Sequence, residues 1–298
     1  MAPVLDLLPA LPNISVLEYA VLDTLAYSDV FDYPLKLSEL HRYLTAPASL
    51  PELIECLKHC ENVEFRDGYY FLKGRGEIVP LRIQREQTSL RAYERALRYG
   101  RILGYLPFIR MVTLTGSLAV RNCDETGDYD YMLVARTGRV WLARAFALLL
   151  NRAAHLFGET LCPNLIVSEN ALEWDSHDLY SAREICQMVP IVGNDIYSRL
   201  RTVNQWTNDF LPQTKYHLLQ NNHEKIPTLQ SAMEFFLNGK FGDMLEVWEM
   251  KRKIARFSRQ KGFGIETKFN ADICQGNFDH HGTWTITAYK ERLERLKV

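Results

Sequence analysis

Met111-Val-Thr-Leu-Thr-Gly-Ser117, followed after ten residues by Asp128-Tyr-Asp130-Tyr-Met-Leu-Val134, decides the reading of this 298-residue chain. A β-branched, apolar segment runs into Gly-Ser, and a polar loop leads to a second apolar strand that opens with Asp-x-Asp. Side chains alternate along a strand, so Asp128 and Asp130 share one face and Tyr129 takes the other. The two carboxylates then lie about 6–7 Å apart along the strand. That pairing suits a hard divalent cation, since Mg²⁺ is usually held by one or two carboxylates plus substrate phosphates. Gly116 permits close approach of backbone to a ligand. Ser117 adds a hydroxyl beside backbone N–H groups, a corner suited to phosphate.

With these residues in place, the segment resembles the nucleotidyltransferase superfamily of DNA polymerase β type, whose signature is a Gly-Ser or Gly-Gly turn, a loop, then Asp-x-Asp. The resemblance implies a mixed sheet with helices packed on it, over residues 105–175. It implies that Gly116 and Ser117 grip the triphosphate of an NTP while Asp128 and Asp130 bind two Mg²⁺ ions. Those ions would activate an acceptor hydroxyl and stabilise departing pyrophosphate. Many members write the turn as Gly-Ser-x-Ala-Arg-Gly; here it is Gly116-Ser-Leu-Ala-Val-Arg121-Asn, with Arg121 one position later. The family's third carboxylate falls on the next strand, Cys162-Pro-Asn-Leu-Ile-Val-Ser-Glu169. Its place is taken by Asn164, a neutral oxygen ligand and no base, with Glu169 at the strand's far end. Nucleotide and metal binding are therefore expected, and turnover is left open.

Composition is ordinary for a globular protein, 47% hydrophobic and 24% charged. A net charge of −1 gives no global pull toward nucleic acid or membrane. The six cysteines are scattered, which argues against a disulfide framework. Cys56 and Cys60 stand one helical turn apart, either two partly buried thiols or half a metal site. Residues 1–6 lack the basic start of a secretory signal. No apolar run reaches eighteen residues. A cytoplasmic protein with no membrane partner is expected.

Residues 1–76 read as a separate module. A helix over 16–27 is followed by a short one after Ser38, a third from Pro51, and a hairpin over 63–72 with Asp67-Gly68 as its turn. Three helices and a hairpin is the order of a winged helix. Its recognition helix, the third, Glu52-Leu-Ile-Glu-Cys-Leu-Lys-His59, carries two acids against one lysine. DNA readers place basic and amide side chains there, so a protein-contact role is preferred and DNA binding is the alternative.

Residues 77–104 form a basic connecting helix with Arg82, Arg85, Arg91, Arg95, Arg98 and Arg101. It is either a solvated face or an anion-attracting rail beside the Gly-Ser corner. After Thr137, residues 140–152 are nearly all apolar and read as a helix packed on the sheet. From 176 to 298 the chain reads as a helical C-terminal domain. Asp279-His280-His281 near its end has metal-ligand chemistry but no third ligand at a recognisable spacing. The chain as a whole also resembles a bacterial group with winged-helix, nucleotidyltransferase and helical parts in that order, through Thr115-Gly-Ser-Leu-Ala119, Gly138-Arg-Val-Trp-Leu142, Leu161-Cys-Pro-Asn164 and Asp178-Leu-Tyr-Ser-Ala182.

The expected activity is Mg²⁺-dependent transfer of a nucleoside monophosphate from an NTP to an acceptor hydroxyl on RNA, protein or a small molecule. Two alternatives stand beside it: a nucleotide-binding regulator without turnover, and a winged-helix DNA-binding protein with a nucleotide-sensing domain.

Overall fold

The computed structural model describes residues 14–124, 127–214 and 228–296. Among these it is a mixed α/β protein with twelve helices, a two-stranded hairpin and a six-stranded mixed sheet. Residues 1–6, read above for a signal, and the last two residues of the C-terminal domain lie outside the described residues.

Ser15 accepts a hydrogen bond from the Glu18 amide and starts α1 (Val16–Asp29). Its residues 20–29 are buried on every side, polar ones included. Thr24 donates to the Ala20 carbonyl at 2.7 Å, Asp23 accepts from the Tyr289 hydroxyl, and Asp29 meets Arg75 and Arg292, each at 2.7 Å. A helix buried all round is a central one. Around it lie α2 (Leu37–Arg42) and α3 (Leu50–Leu57), the latter begun by a Ser49–Glu52 capping box. The hairpin β1 (Val63–Arg66) and β2 (Tyr69–Leu72) turns at Asp67 and Gly68, with φ of +53° and +89°. Left-handed backbone at both central residues matches the twist of the flanking strands.

This N-terminal part does not keep its core to itself. The apolar side of α1 packs in one cluster with Leu179, Ala182, Leu211 and Tyr289 from far along the chain. A boundary at residue 76 therefore ends a run of sequence and not a packing unit.

Next comes α4 (Ile78–Gly104), then the sheet: β3 (Ile109–Leu114), β4 (Tyr129–Ala135), β5 (Leu161–Ser168), β6 (Val189–Val192), β7 (Thr267–Phe269) and β8 (Ile273–Gly276). The spatial order is β6-β3-β4-β5-β8-β7. Only β4 and β5 are parallel, joined through the crossover helix α6 (Val140–His155), whose Val140, Trp141, Ala143 and Ala147 are buried against the sheet. Helix α4 lies tight on β6, since a Cβ added at Gly100 would come within 2.3 Å of Ile191 Cδ1. The other helices are α5 (Gly116–Ala119), α7 (Leu179–Gln187), α8 (Asn194–Val203), α9 (Thr207–Phe210), α10 (Thr228–Leu237), α11 (Lys240–Phe257) and α12 (His281–Arg295). No described helix is long and apolar enough to cross a membrane.

Two readings are corrected here. The segment from 176 onward is not simply helical, because it supplies β6, β7 and β8, half of the six strands. Within it, Pro190 lies in β6, an edge strand that can spare its N–H. Arg82, grouped above with the surface arginines, is fully buried. It is pinned by Glu39 and Glu86 at 3.0 Å each and lies 4.5 Å from the Tyr33 ring centre.

Candidate functional site

The antiparallel ladder of β3 on β4 places the Gly-Ser turn against the Asp-x-Asp strand. Leu114 pairs with Tyr131, and the Thr115 amide donates to the Asp130 carbonyl at 2.9 Å. The chain must then turn away, and Gly116 does so at φ +65°. A Cβ on Gly116 would come within 2.3 Å of Asp130 Oδ2, so the missing side chain is what admits the carboxylate. One helical turn, α5, begins at Gly116, and the first amides of a helix have no acceptor within it. Ser117 is exposed beside them. Replacing Gly116 by Ala is expected to lose about 1–2 kcal/mol through the left-handed backbone and to push Asp130 out of place. Thermal unfolding and nucleotide titration of Gly116→Ala would read the two losses separately.

Asp130 is half-buried and Asp128 exposed. Burial pushes the Asp130 carboxyl up to about 6; the Asn164 hydrogen bond opposes that, and the Asp128 charge adds to it. Across the sheet, Asn164 is the extra residue of a bulge, because Tyr131 pairs with Pro163 and Met132 with Leu165. The bulge turns the amide toward the site. Asn164 Nδ2 donates to Asp130 Oδ1 at 2.6 Å, and the Cys162 thiol donates to Asn164 Oδ1 at 2.8 Å. Asn164 thus stands beside Asp130, where the resemblance put the family's third ligand. Glu169 does not; its amide bonds the Ala135 carbonyl, at the opposite end of β4.

Arg121 points elsewhere. Its guanidinium lies 5.3 Å from the Tyr93 ring centre on α4, and its carbonyl accepts from buried Arg82. Arg95 pairs with Glu159 at 2.9 Å, so the basic helix is partly neutralised.

A residue that sequence reasoning missed is Glu184 on α7. Burial pushes its carboxyl up to about 7, and the Asp130 charge raises it further while Arg183 opposes. Gln187 holds it at 2.6 Å. Lying some fifty residues along the chain on a helix, it carried no motif that spacing could have flagged. The thiol of Cys162 is likewise driven up to about 11, by burial first and then by Asp130 and Asp128. Cys123, buried nearby, is raised by burial and feels both aspartates. The two thiols thus register both aspartates, and Glu184 registers Asp130.

The donor set fits a divalent cation in the two-carboxylate mode, with Asp128 open to solvent and Asp130 drawn in against Gly116. No group of three or more His, Cys, Asp or Glu able to hold a metal occurs among the described residues. Cys56 and Cys60, with sulfurs 3.6 Å apart, are two thiols on a helix end. His280 is the left-handed N-cap of α12. No family model, curated protein or solved structure matches the chain.

Proposed function

We propose that the chain is a Mg²⁺-dependent nucleotidyltransferase of polymerase-β type, moving a nucleoside monophosphate from an NTP to an acceptor hydroxyl. The observation that carries this reading is the fit of Gly116 against the Asp130 carboxylate, where the turn and the acid are shaped around each other. Asp128 and Asp130 would hold the metal, and Gly116 and Ser117 would present amides and a hydroxyl to the β- and γ-phosphates. Bound Mg²⁺ would supply neutralisation of phosphate charge and a more acidic acceptor hydroxyl. Asn164 orients Asp130 and cannot take a proton.

A second reading, nucleotide binding without transfer, is favoured by one feature alone: the amide of Asn164 in the position of the third acid. The order of three helices and a hairpin supports a winged-helix module before the core. The exposed face of α3 carries Glu52 and Glu55, so that module would contact protein and not DNA.

Incubation of the protein with α-phosphate-labelled NTP and pools of RNA, protein and small alcohols tests the assignment. Transfer of label that stops with Asp130→Asn is the expected result. Mg²⁺-dependent binding with no transfer to any pool would favour the second reading. Nucleotide affinity in Mg²⁺ should also fall as pH drops through about 6, since a protonated Asp130 is no cation ligand. A binding titration between pH 5 and 8 would show a flat profile if Asp130 were not involved.

A further inference from the structure

Helices α10 and α11 turn acidic side chains inward and apolar ones outward, the reverse of a helix packed for water. Glu234 accepts from the Phe108 amide and from Arg110 Nη2, both at 2.7 Å. Glu246 accepts the amides of Trp141 and Leu142 at 2.8 Å, closing the start of α6. Leu245, Met250 and Ile254 add apolar packing on the same inner side. The pair is therefore fastened to the body without its outer face.

That outer face has two halves. Around the turn between the helices stand Phe235 and Phe236, 77% and 76% exposed, with Phe241 at 58%. Met244 and Trp248 continue from Phe241 along one stripe of α11, 62% and 58% exposed. The following turn of that stripe is basic, with Lys251, Arg252 and Arg256 exposed and Arg259 exposed just past the helix end. Over residues 230–261, six lysines and arginines are exposed against one exposed acid, Asp243, which Arg139 holds at 2.6 Å; of the six, Arg252 is paired with buried Glu249 at 2.6 Å, leaving five. The chain's net charge of −1 conceals this local excess.

A second copy of the chain is a poor cover. Pairing α11 in parallel sets cations on cations, and antiparallel pairing sets them on the apolar half. An anionic bilayer satisfies both halves, since aromatic side chains enter the acyl boundary and Lys/Arg remain among the headgroups. We infer that the α10–α11 hairpin docks the protein peripherally on an anionic lipid surface, with its aromatic tip inserted and its basic turns at headgroup level. The hairpin turn bonds the far end of β4, where Arg136 Nη1 meets Asn238. Asp130 lies at the near end of that strand, about 20 Å away. This inference does not depend on the activity proposed above.

Co-sedimentation of the full chain with phosphatidylcholine vesicles, with and without phosphatidylglycerol, tests it. The expected result is salt-sensitive binding to the anionic vesicles only, with a blue shift of tryptophan emission. Phe235→Ser with Phe236→Ser should weaken binding at least about tenfold, as should Lys251→Glu with Arg259→Glu, at roughly fivefold per cation. All four positions are exposed, so unchanged melting curves would certify the fold. Binding to neither vesicle, or equally to both, overturns the inference. So does a sedimentation-velocity mass of a dimer that the phenylalanine pair abolishes, or a mixed-sequence RNA held through these residues when vesicles are not.

Discussion

Arg82→Ala should lower the unfolding free energy by about 3–5 kcal/mol, the cost of stranding the partners of a buried ion pair. Arg82 is fully buried and bridges three parts of the chain. Its Nη2 meets Glu39 of α2 and Glu86 of α4 at 3.0 Å, and its Nη1 donates to the Arg121 carbonyl. Tyr33 and Tyr69 complete the cage, each donating its hydroxyl at 2.8 Å to one of those glutamates. Removal would leave two acids facing each other with Lys36 as the remaining cation on Glu86. The loss should therefore exceed that of Arg82→Met with Glu39→Gln, which removes charge from both sides. Because Arg121 closes the loop after the Gly-Ser turn, Arg82→Ala should also weaken nucleotide binding at temperatures where the protein is still folded. Urea unfolding of the three proteins measures the first effect. A loss below 1 kcal/mol would mean that the network is not the pin between the N-terminal helices and the core.

Asp130→Asn should do the opposite to stability. The folded carboxyl titrates at about 6 against an ordinary value of 3.8, mainly because burial penalises its charge. A raised acid in the folded state means that the native protein binds the proton more tightly than the unfolded chain does. Its contribution is fully present below pH 4 and is lost as pH rises through about 6. At pH 7 the wild type carries a charge that the fold disfavours, by about 1–3 kcal/mol. The neutral amide should recover that amount, raising the melting temperature by several degrees. The gain should vanish near pH 4. A substitution that stabilises the protein while removing its cation site is what a functional carboxylate predicts. A structural carboxylate would give a loss at pH 7. Melting curves at pH 4 and pH 7 distinguish them.

Much of the local structure was legible in the sequence because it is written in short-range chemistry. Asp67-Gly68 gave the hairpin turn, Pro51 the opening of α3, and the apolar run after Asp128 the strand β4 (Tyr129–Ala135), which starts one residue past Asp128. The position of Asn164 near Asp130 was what the family resemblance implied, since it puts a third ligand on the next strand. What was not legible depends on long-range packing. Strands β6, β7 and β8 have only three or four residues each, too few for periodicity, and one of them carries a proline. Helix α1 is legible as a helix, but the burial of its polar residues against Tyr289 and Arg292, some 260 residues away in sequence, is not. Glu184 feels the Asp130 charge from a helix some fifty residues further along, which no local pattern announces. Arg82 looked like one surface arginine among six until its two glutamates, forty-three residues upstream and four downstream, closed on it.

The most direct test of the central claim is thermal unfolding of the wild type and Asp130→Asn with each NTP, in the presence and absence of Mg²⁺. A nucleotide at a hundred times its dissociation constant adds about 2.7 kcal/mol of apparent stability. The account predicts a shift of several degrees in wild type that requires Mg²⁺ and disappears in Asp130→Asn, although that variant starts from a higher midpoint. A shift of equal size in both proteins, or none with any NTP at millimolar concentration, would contradict a nucleotide and metal site at Asp128 and Asp130.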